Sequence, residues 1–313
     1  MKIFITGSSG FIGQHLIKDL AGSYDIYQMK SDLRDHKSVA QELQSFDPNY
    51  ILHLGARTEV GQSFTQQVEF SDINYTGSVN LIENACKLKN LKNFIFASTM
   101  EVFGWQPISD EVLEKRSPEK FEVFDENTIP NPNAPYAVAK FGVEKYLQYA
   151  MRSMGLPFTA IRQTNAYGRI DNNYFVTEQI ISQMLQHKNT VNLGYPEPYR
   201  NFIYVTDVIE AWIKIIEQSH KCCDGKIFTL GPNNPISIKD YAEYISEKIG
   251  WHGNIQWNTK EERPGEIYWL NSDSKLIEKV IGWKPKVILS EGLDKTIEKL
   301  EEQNVRNTVR TLG

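Results

Sequence analysis

A glycine-rich turn between a strand and a helix constrains the fold of this chain more than any other feature of the sequence. The apolar run Lys2–Thr6 leads into the heptapeptide GSSGFIG at 7–13, after which apolar residues recur at helical spacing. In such a turn Gly7 permits the tight bend, Gly10 lets the backbone approach a pyrophosphate, and Gly13 lets helix and strand pack closely. The pattern therefore predicts a dinucleotide site at the beginning of a helix.

Short apolar runs alternate with helical periodicity through the first half of the sequence. The predicted strands are Lys2–Thr6, Ile26–Met29, Tyr50–Leu54, Asn93–Ser98 and Phe158–Arg162, and the predicted helices are Phe11–Leu20, Lys37–Phe46, Phe70–Leu88 and Ala137–Met154. This alternation predicts an α/β fold, a Rossmann-type doubly wound parallel sheet with helices on both faces. We therefore predict a cofactor-binding domain over residues 1–165.

The alternation becomes irregular beyond about residue 165, which predicts a smaller mixed C-terminal substrate lobe over residues 166–313, with some segments returning to the Rossmann core. Its predicted strands are Thr190–Leu193, Lys226–Leu230 and Ile255–Trp257. Its predicted helices are Phe175–His187, Val205–Gln218, a helix that Ser237 caps and Gly250 ends, and a last helix that begins near Ser290. Within the predicted cofactor-binding domain, residues 104–135 carry five prolines. We interpret them as a lid-like loop beside the active site, with a short helix at Val112–Lys115.

Composition excludes several classes of protein. A net charge of −5 gives no basic footprint for nucleic acid. The three cysteines, Cys86, Cys222 and Cys223, form neither a disulfide framework nor a metal-binding spacing, so we expect no metal. No apolar run approaches about 18 residues and no signal peptide precedes the first strand, so we expect a cytoplasmic protein without a membrane segment.

Tyr136 and Lys140 lie one helical turn apart and form a candidate catalytic pair. A free phenol has a pKa near 10. We expect the ammonium of Lys140, together with the positive charge of an oxidised nicotinamide, to lower the pKa of Tyr136, so that the phenolate accepts the proton of an alcohol. Thr99 ends an apolar strand, where its hydroxyl can bind the same alcohol oxygen. Glu101 can abstract a proton alpha to the ketone that results.

The choice between NAD and NADP stays open at this stage. Asp32 lies at roughly the spacing at which an acid binds the ribose 2′-hydroxyl of NAD, which slightly favours NAD. However, Asp32 also begins the next connection, where it would meet the adenine, and then Lys30 or Ser31 could accept the 2′-phosphate of NADP. Farther along the chain, Arg200 and Arg263 are candidates for clamping phosphates.

Taken together, the motifs resemble those of the extended short-chain dehydrogenase/reductases, specifically the nucleotide-sugar epimerase/dehydratase family. The resemblance covers nearly the whole chain. Its motifs are TGSSGFIG, DLRD, HLGA, NYTG, FASTMEVFG, YAVAK, IRQTNAYG, RNFIYVTDV, RPGE and GWKP. It implies a tightly bound NAD or NADP, a nucleotide-diphosphate hexose as substrate, and a homodimer built on the helices Phe70–Leu88 and Ala137–Met154.

The resemblance also implies a role for individual residues. The implied cofactor-binding residues are Gly7, Gly10, Phe11, Ile12 and Gly13 at the pyrophosphate, Asp32 and Leu33 at the adenine, and Leu54, Gly55, Ala56 and Asn74 along the cofactor. Tyr136 is implied as the base, Lys140 as the ligand of the nicotinamide ribose, and Thr99 as the residue that orients the sugar 4-hydroxyl. The implied substrate-binding residues are Ser63 and Asn165, with Arg200 and Arg263 at the phosphates.

The reaction that the resemblance favours is a 4,6-dehydration. Thr99-x-Glu101 is similar to the dTDP-glucose and GDP-mannose 4,6-dehydratases, which oxidise C4, remove water across C5–C6 and return the hydride. Met100, however, stands where dTDP-glucose dehydratases carry an acid that protonates the leaving hydroxyl. A 4-epimerase, an NADPH-dependent 4-ketoreductase and a dehydratase that leaves a 5,6-alkene are therefore alternatives. A non-catalytic dinucleotide sensor is the alternative from a different class.

Overall fold

The structure is a computed structural model that describes residues 1–104, 122–170, 172–186, 189–259, 263–264 and 266–312. The helix predicted at Val112–Lys115, and with it residues 105–121 of the predicted lid, lie outside the described residues. The described remainder of that loop packs against the C-terminal part of the chain: the indole of Trp269 donates a hydrogen bond to the carbonyl of Glu122 at 2.8 Å, and the Thr229 amide donates to the Glu126 carboxylate at 2.7 Å.

The first half of the chain alternates strands and helices as predicted. The elements are β1 Lys2–Thr6, α1 Phe11–Leu20, β2 Asp25–Gln28, α2 His36–Phe46, β3 Tyr50–His53, α3 Val60–Ser63, α4 Gln67–Ser71, α5 Gly77–Ala85, β4 Asn93–Thr99, α6 Pro135–Met154 and β5 Phe158–Gln163. The five predicted strands and three of the four predicted helices are confirmed to within two residues at each end. These elements could be predicted because their apolar periodicity is strong, and strongly periodic segments specify an element clearly.

The single helix predicted over Phe70–Leu88 is confirmed in part: the chain is helical from Gln67 to Ala85, but not as one regular α-helix. The structure has α4 and α5 joined by a π-helical turn, Asp72–Thr76, and α5 ends at Ala85. A π turn inserts one residue relative to an α-helix. Asn74 lies in this turn, where its buried amide accepts a hydrogen bond from the Arg57 N–H at 2.8 Å and donates to the Arg57 carbonyl at 2.9 Å. The apolar periodicity of the sequence does not encode this tertiary contact.

The main sheet has six parallel strands in the order β10-β5-β4-β3-β1-β2, where β10 is Lys226–Leu230. The chain leaves β1 for β2 on one side and then crosses to β3 on the other side of β1. The reversal between β1 and β3 is a topological switch point, and open sheets of this type bind ligands at the carboxyl ends of the strands there. The turn at 7–13 follows β1 and the segment Leu54–Ala56 follows β3 at this position.

Alternate side chains of the strands are buried on opposite faces of the sheet. Ile3 and Ile5 of β1 are buried with Leu16 of α1 and with Trp212 of the helix Val205–Gln218. Phe4 is buried on the other face with apolar residues of α2, α5 and α6. The sheet is therefore covered by helices on both faces, which confirms the doubly wound α/β architecture.

The C-terminal part is smaller and mixed, as predicted. Its elements are β6 Asn165–Tyr167, α7 Val176–Leu185, β7 Thr190–Asn192, β8 Tyr199–Arg200, β9 Phe202–Tyr204, α8 Val205–Gln218, β10, β11 Ile236–Ser237, α9 Ile238–Ile249, β12 Asn254–Gln256, α10 Lys275–Ile281 and α11 Leu289–Leu312. Ser237 caps α9 by accepting from the Asp240 amide, and Gly250 ends it in a left-handed conformation. Strand β10 pairs with β5, so this segment returns to the main sheet, while the boundary at residue 165 stays a prediction.

Within the described part of the chain, no helix is both long enough and apolar enough to cross a membrane.

Candidate active site

A cleft of about 990 Å³ opens at the carboxyl ends of β1, β3, β4 and β5. One wall is built by the glycine-rich turn, by the end of β4 and by α6. The opposite wall is built by the segments around α7, by β8 and by the segment that carries Arg263 and Glu266. Of the residues implied by sequence, those lining the cleft are Gly7, Gly10, Phe11, Ile12, Gly13, Leu54, Ala56, Thr99, Glu101, Tyr136, Lys140, Asn165, Arg200 and Arg263.

The turn at 7–13 fits a pyrophosphate. Gly7 has φ +67°, and a Cβ there would lie 2.7 Å from the Gly55 nitrogen, while a Cβ on Gly13 would collide with the Gly7 carbonyl. A Cβ on Gly10 would meet one described atom within 4 Å, the Gly7 oxygen at 3.2 Å. The backbone at Gly10 is therefore open towards the cleft at the beginning of α1, where free N–H groups and the helix dipole favour an anion.

Four implied cofactor or substrate residues do not line the cleft directly. The Gly55 amide donates to the Thr6 hydroxyl at 2.9 Å, and Asn74 holds the backbone of Arg57. Ser63 is buried and its hydroxyl donates to the Val60 carbonyl at 2.7 Å. Leu33 is buried against Gly77, where a Cβ would lie 2.7 Å from the Leu33 Cβ. These residues hold the walls of the cleft in place.

Asp32 also lies outside the cleft lining and pairs with its neighbour. The Arg34 guanidinium contacts the Asp32 carboxylate at 2.6 Å on the surface. The hydrogen bonds from Arg34 hold the pKa of Asp32 at about 2. Asp32 is thus ionised at neutral pH.

The end of β4 brings Thr99 and Glu101 into the cleft. Met100–Phe103 form one turn of 3₁₀-helix, and the Thr99 hydroxyl caps it by accepting from the Glu101 amide at 3.2 Å. Because this amide occupies the acceptor side of the Thr99 oxygen, the hydroxyl proton is available for another partner. The Thr99 side chain lowers the pKa of the nearby Tyr136 phenol.

Met100 points away from the cleft. Its side chain is buried with Phe103, Phe124 and Trp269, and its sulfur accepts from the Ser272 hydroxyl at 3.1 Å. The position between Thr99 and Glu101 therefore supplies no group to the cleft.

Tyr136 and Lys140 share one buried face of α6, as the four-residue spacing predicts. The Lys140 ammonium donates to the Ala97 carbonyl at 2.8 Å and lies 6.0 Å from the centroid of the Tyr136 ring. It also lies 4.8 Å from the centroid of the Phe96 ring. The lysine is therefore anchored to β4 beneath the cleft.

The expected lowering of the Tyr136 pKa needs the positive charge of a bound nicotinamide and therefore stays a prediction; the chain by itself shifts this pKa upward. Burial raises the pKa of Tyr136 above its ordinary value, and the nearby carboxylate of Glu101 raises it further. Thr99 acts against these two effects and lowers the pKa of Tyr136. Burial also lowers the pKa of Lys140, to about 7, so the ammonium is itself destabilised. Sequence spacing revealed the pair but not the desolvation of both groups.

The shifted pKa of Lys140 predicts how stability depends on pH. In protein freed of cofactor, the unfolded chain keeps the Lys140 proton up to about pH 10.4, whereas the folded chain loses it near pH 7. Between these values the unfolded state binds more protons, so Lys140 makes the free energy of unfolding rise with pH, approaching about 1.4 kcal/mol per pH unit. The free energy of unfolding, measured with denaturant between about pH 7 and 9.5, should show this slope, because this range lies between the folded and the unfolded pKa of Lys140. Lys140→Met should lack it, and an equal slope in both proteins would contradict the assignment.

Two arginines meet the carboxylate of Glu266 on the opposite wall. Arg200 is buried and contacts the Glu266 carboxylate at 2.9 Å, and Arg263 lies 3.9 Å from the same carboxylate. Burial raises the pKa of Glu101, Arg200 and Arg263 lower it, and Glu266 raises it. The net shift is upward, which makes Glu101 a better proton acceptor than an exposed carboxylate at neutral pH.

Sequence reasoning missed three residues that line the cleft. Glu266 belongs to the RPGE motif, and an acid beside a candidate phosphate-binding arginine is the signal that points to it. The guanidinium carbon of Arg169 lies 4.4 Å from the centroid of the Phe11 ring and 3.8 Å from that of the Phe175 ring. The Tyr174 hydroxyl would lie 2.9 Å from a Cβ on Gly61. No periodicity marks these last contacts, because Arg169 meets Phe11 and Tyr174 meets Gly61 across segments distant in sequence.

The fold and the cleft define a dinucleotide-dependent enzyme with a Tyr–Lys pair. Residues 3–231 match the model of the NAD dependent epimerase/dehydratase family, and the chain belongs to this family.

Known proteins similar to the chain carry out more than one reaction. The dTDP-D-glucose 4,6-dehydratase of Homo sapiens is 26% identical, over 99% of this chain and 93% of that protein. The UDP-glucose 4-epimerase of Thermotoga maritima, solved with UDP-glucose, is 26% identical with a TM-score of 0.86, over 97% of this chain and 100% of that chain. The RMD of Pseudomonas aeruginosa, solved with NADPH, has the same fold at 22% identity and a TM-score of 0.82, over 96% and 99% of the two chains.

Proposed function

We propose that the protein is a nucleotide-sugar 4,6-dehydratase that oxidises its substrate at C4, removes water across C5–C6 and returns the hydride. The observation that carries this proposal is the carboxylate of Glu101, which lines the cleft beside Thr99 and Tyr136 and has a raised pKa. A 4-epimerisation needs the tyrosine and the threonine but no carboxylate at this position. Dehydration needs a group that removes the proton at C5.

Oxidation at C4 begins at Tyr136. Thr99 donates to the phenol oxygen, which stabilises the phenolate, and the C4 hydroxyl of the sugar binds these two oxygens. A bound nicotinamide supplies hydride acceptance and, through its positive charge, a further stabilisation of the phenolate. Lys140 holds the nicotinamide ribose from beneath the cleft, where it is anchored to the Ala97 carbonyl. The phenolate takes the hydroxyl proton as the C4 hydride departs.

Glu101 performs the elimination. Once C4 is a ketone, the proton at C5 is acidified and Glu101 removes it. The C6 hydroxyl then leaves, and it takes the same proton from Glu101 to depart as water. Because Met100 is buried away from the cleft, Glu101 serves as base and as acid in turn. Return of the hydride to C6, with a proton from solvent taken up at C5, would give a 4-keto-6-deoxy sugar. Its return to C4, with the Tyr136 proton given back to the C4 oxygen, would instead leave a 5,6-alkene.

The diphosphate binds Arg200 and Arg263. Both guanidinium groups line the cleft on the wall opposite the cofactor turn. In the structure they share the carboxylate of Glu266. Two cations on one wall suit the two phosphates of a nucleotide sugar, because guanidinium groups bind phosphate oxygens bidentately. Asn165, also in the cleft lining, is proposed to contact the sugar.

A homodimer is proposed on the helices α4 and α6 and on the π turn. Large apolar side chains are exposed there in the single chain: Val68, Tyr75, Val138 and Tyr149. Clustered exposed apolar residues mark association surfaces.

Glu101→Gln should abolish dehydration. The amide keeps the size of the side chain but cannot accept the C5 proton, so we expect kcat to fall by about 10²–10⁴-fold, the usual contribution of a general base. The measurement is mass spectrometry of GDP-, UDP-, dTDP- and CDP-hexoses after incubation, where dehydration removes about 18 mass units. The expected product of the unaltered protein is a 4-keto-6-deoxy sugar.

The matched control is Glu247→Gln, which removes an exposed carboxylate from α9 outside the cleft lining. Dehydration that persists in Glu101→Gln would contradict the proposal. The 4-epimerase is the second candidate, and the burial of Met100 favours it because no separate acid faces the cleft from that position. An unchanged mass with a changed retention time, retained in Glu101→Gln, would establish epimerisation instead.

A further inference from the structure

The end of β2 lies beside the glycine-rich turn. In the parallel register Ile5 of β1 is opposite Gln28 of β2, and the Met29 amide donates to the Ile5 carbonyl at 2.9 Å. Residues 29–31 therefore follow β2 at the edge of the sheet where β1 runs into Gly7. In Rossmann-type sheets the ribose that carries the adenine lies at this end of the second strand.

Glu42 reaches this position from α2. Its Oε2 accepts a hydrogen bond from the Lys30 N–H at 3.0 Å, and its Oε1 accepts from the Ser31 N–H at 2.8 Å. Burial alone would raise the pKa of Glu42, but these backbone hydrogen bonds outweigh it, and the pKa lies below its ordinary value. The carboxylate is therefore ionised at neutral pH, and it occupies two backbone donors that a phosphate would otherwise use.

The cations of the same segment are engaged elsewhere. The Arg34 guanidinium contacts Asp32 at 2.6 Å, and the Lys30 ammonium lies 5.9 Å from the centroid of the Tyr27 ring. Asp32 of this segment and Glu42 of α2 thus present two carboxylates near the expected ribose. A 2′-phosphate placed there would meet like charge and would find two of its potential donors occupied.

We propose that Glu42 makes the cofactor site select NAD over NADP. The ribose 2′-hydroxyl of NAD carries no charge and can donate to a carboxylate, whereas the 2′-phosphate of NADP is repelled by it. Glu42 lies ten residues beyond Asp32, in the middle of a helix, so the spacing that usually reveals an acid for the 2′-hydroxyl does not reveal this one. The inference rests on the cofactor site of the proposed function but not on its reaction.

The test is a binding titration that needs no turnover. Protein freed of cofactor is titrated with NADH and with NADPH, and binding is followed by nicotinamide fluorescence. We expect the unaltered protein to bind NADH at least about tenfold more tightly than NADPH. Glu42→Gln keeps an acceptor for the backbone but removes the charge, so it should reduce this ratio at least about fivefold, mainly by tighter NADPH binding.

Asp19→Asn is the control, because it removes an exposed charge from α1 away from residues 29–31. A second measurement uses the unaltered protein alone: the preference for NADH should shrink as ionic strength rises, because salt screens charge repulsion. Equal affinities in the unaltered protein, or an unchanged ratio in Glu42→Gln, would overturn the inference. A protein that binds neither nucleotide would overturn the cofactor site together with the inference. A protein that binds NADH more tightly than NADPH but does not dehydrate a nucleotide sugar would overturn the proposed reaction and leave the inference standing.

Discussion

Tyr136→Phe is expected to lower kcat by about 10²–10⁴-fold while leaving the fold and the affinity for the dinucleotide intact. The phenol oxygen is the proposed acceptor of the C4 proton, and Thr99 lowers its pKa. The ring is almost completely buried on α6, and phenylalanine keeps its packing and its position above Lys140. The loss should therefore fall on the oxidation step rather than on binding.

Steady-state kinetics with the active nucleotide sugar, together with an NADH titration, measure this effect. Tyr24→Phe is the control, because it removes a hydroxyl from a half-buried tyrosine just before β2, at the edge of the sheet away from the cleft. A Tyr136→Phe protein that keeps the kcat of the unaltered chain would refute the role of Tyr136. That result would also favour a dinucleotide sensor, which needs no base.

Glu144→Ala is expected to lower the free energy of unfolding by about 3–5 kcal/mol, the usual cost of leaving a buried partner charge unpaired. The Glu144 carboxylate accepts from Arg162 at 3.0 Å and 2.8 Å and from the Ser98 hydroxyl at 2.5 Å. All three side chains are buried beneath the cleft. The alanine would leave the Arg162 guanidinium without its carboxylate against the ring of Phe103.

The double variant Glu144→Leu with Arg162→Leu separates stability from activity. Replacing a whole buried ion pair by apolar residues often restores stability, so chemical denaturation should show most of the loss recovered. Glu144 lies on the same helix face as Tyr136 and Lys140, and Ser98 directly precedes Thr99. We therefore expect kcat to stay reduced in the double variant because α6 is no longer fixed against β4.

Arg152→Gln, which removes an exposed charge from the last turn of α6, is the control for loss of charge on that helix. A double variant with the stability and the kcat of the unaltered chain would show that the ion pair serves the fold alone. A single variant of unchanged stability would contradict the buried pair itself.

The cofactor turn and the Tyr–Lys pair could be predicted because their information is local. Gly7 needs a positive φ and Gly13 a missing Cβ, and both requirements are visible in a seven-residue motif. The spacing of Tyr136 and Lys140 places them on one helix face whatever surrounds them. The pKa values of these two groups could not be predicted, because burial sets them and burial belongs to the assembled fold.

Contacts between distant segments were likewise beyond the sequence. The π turn at Asp72–Thr76 interrupts a periodic helix because Asn74 bonds the backbone of Arg57, a contact across the connection between β3 and α4. Glu266 reaches Arg200 across 66 positions, and Glu42 reaches the end of β2 from the following helix. Each of these contacts joins a polar side chain to a partner that the spacing of residues along the sequence does not predict.

The sequence by itself determined the order of strands and helices, the cofactor turn and the catalytic pair, because apolar periodicity and short-range steric requirements act within a few residues. The tertiary structure alone decided which charges face the cleft and how burial shifts their pKa values. It also decided that Met100 turns into the core while Glu101 faces the cleft. Electrostatic energies depend on distance and desolvation in space, which the order of residues along the chain does not contain.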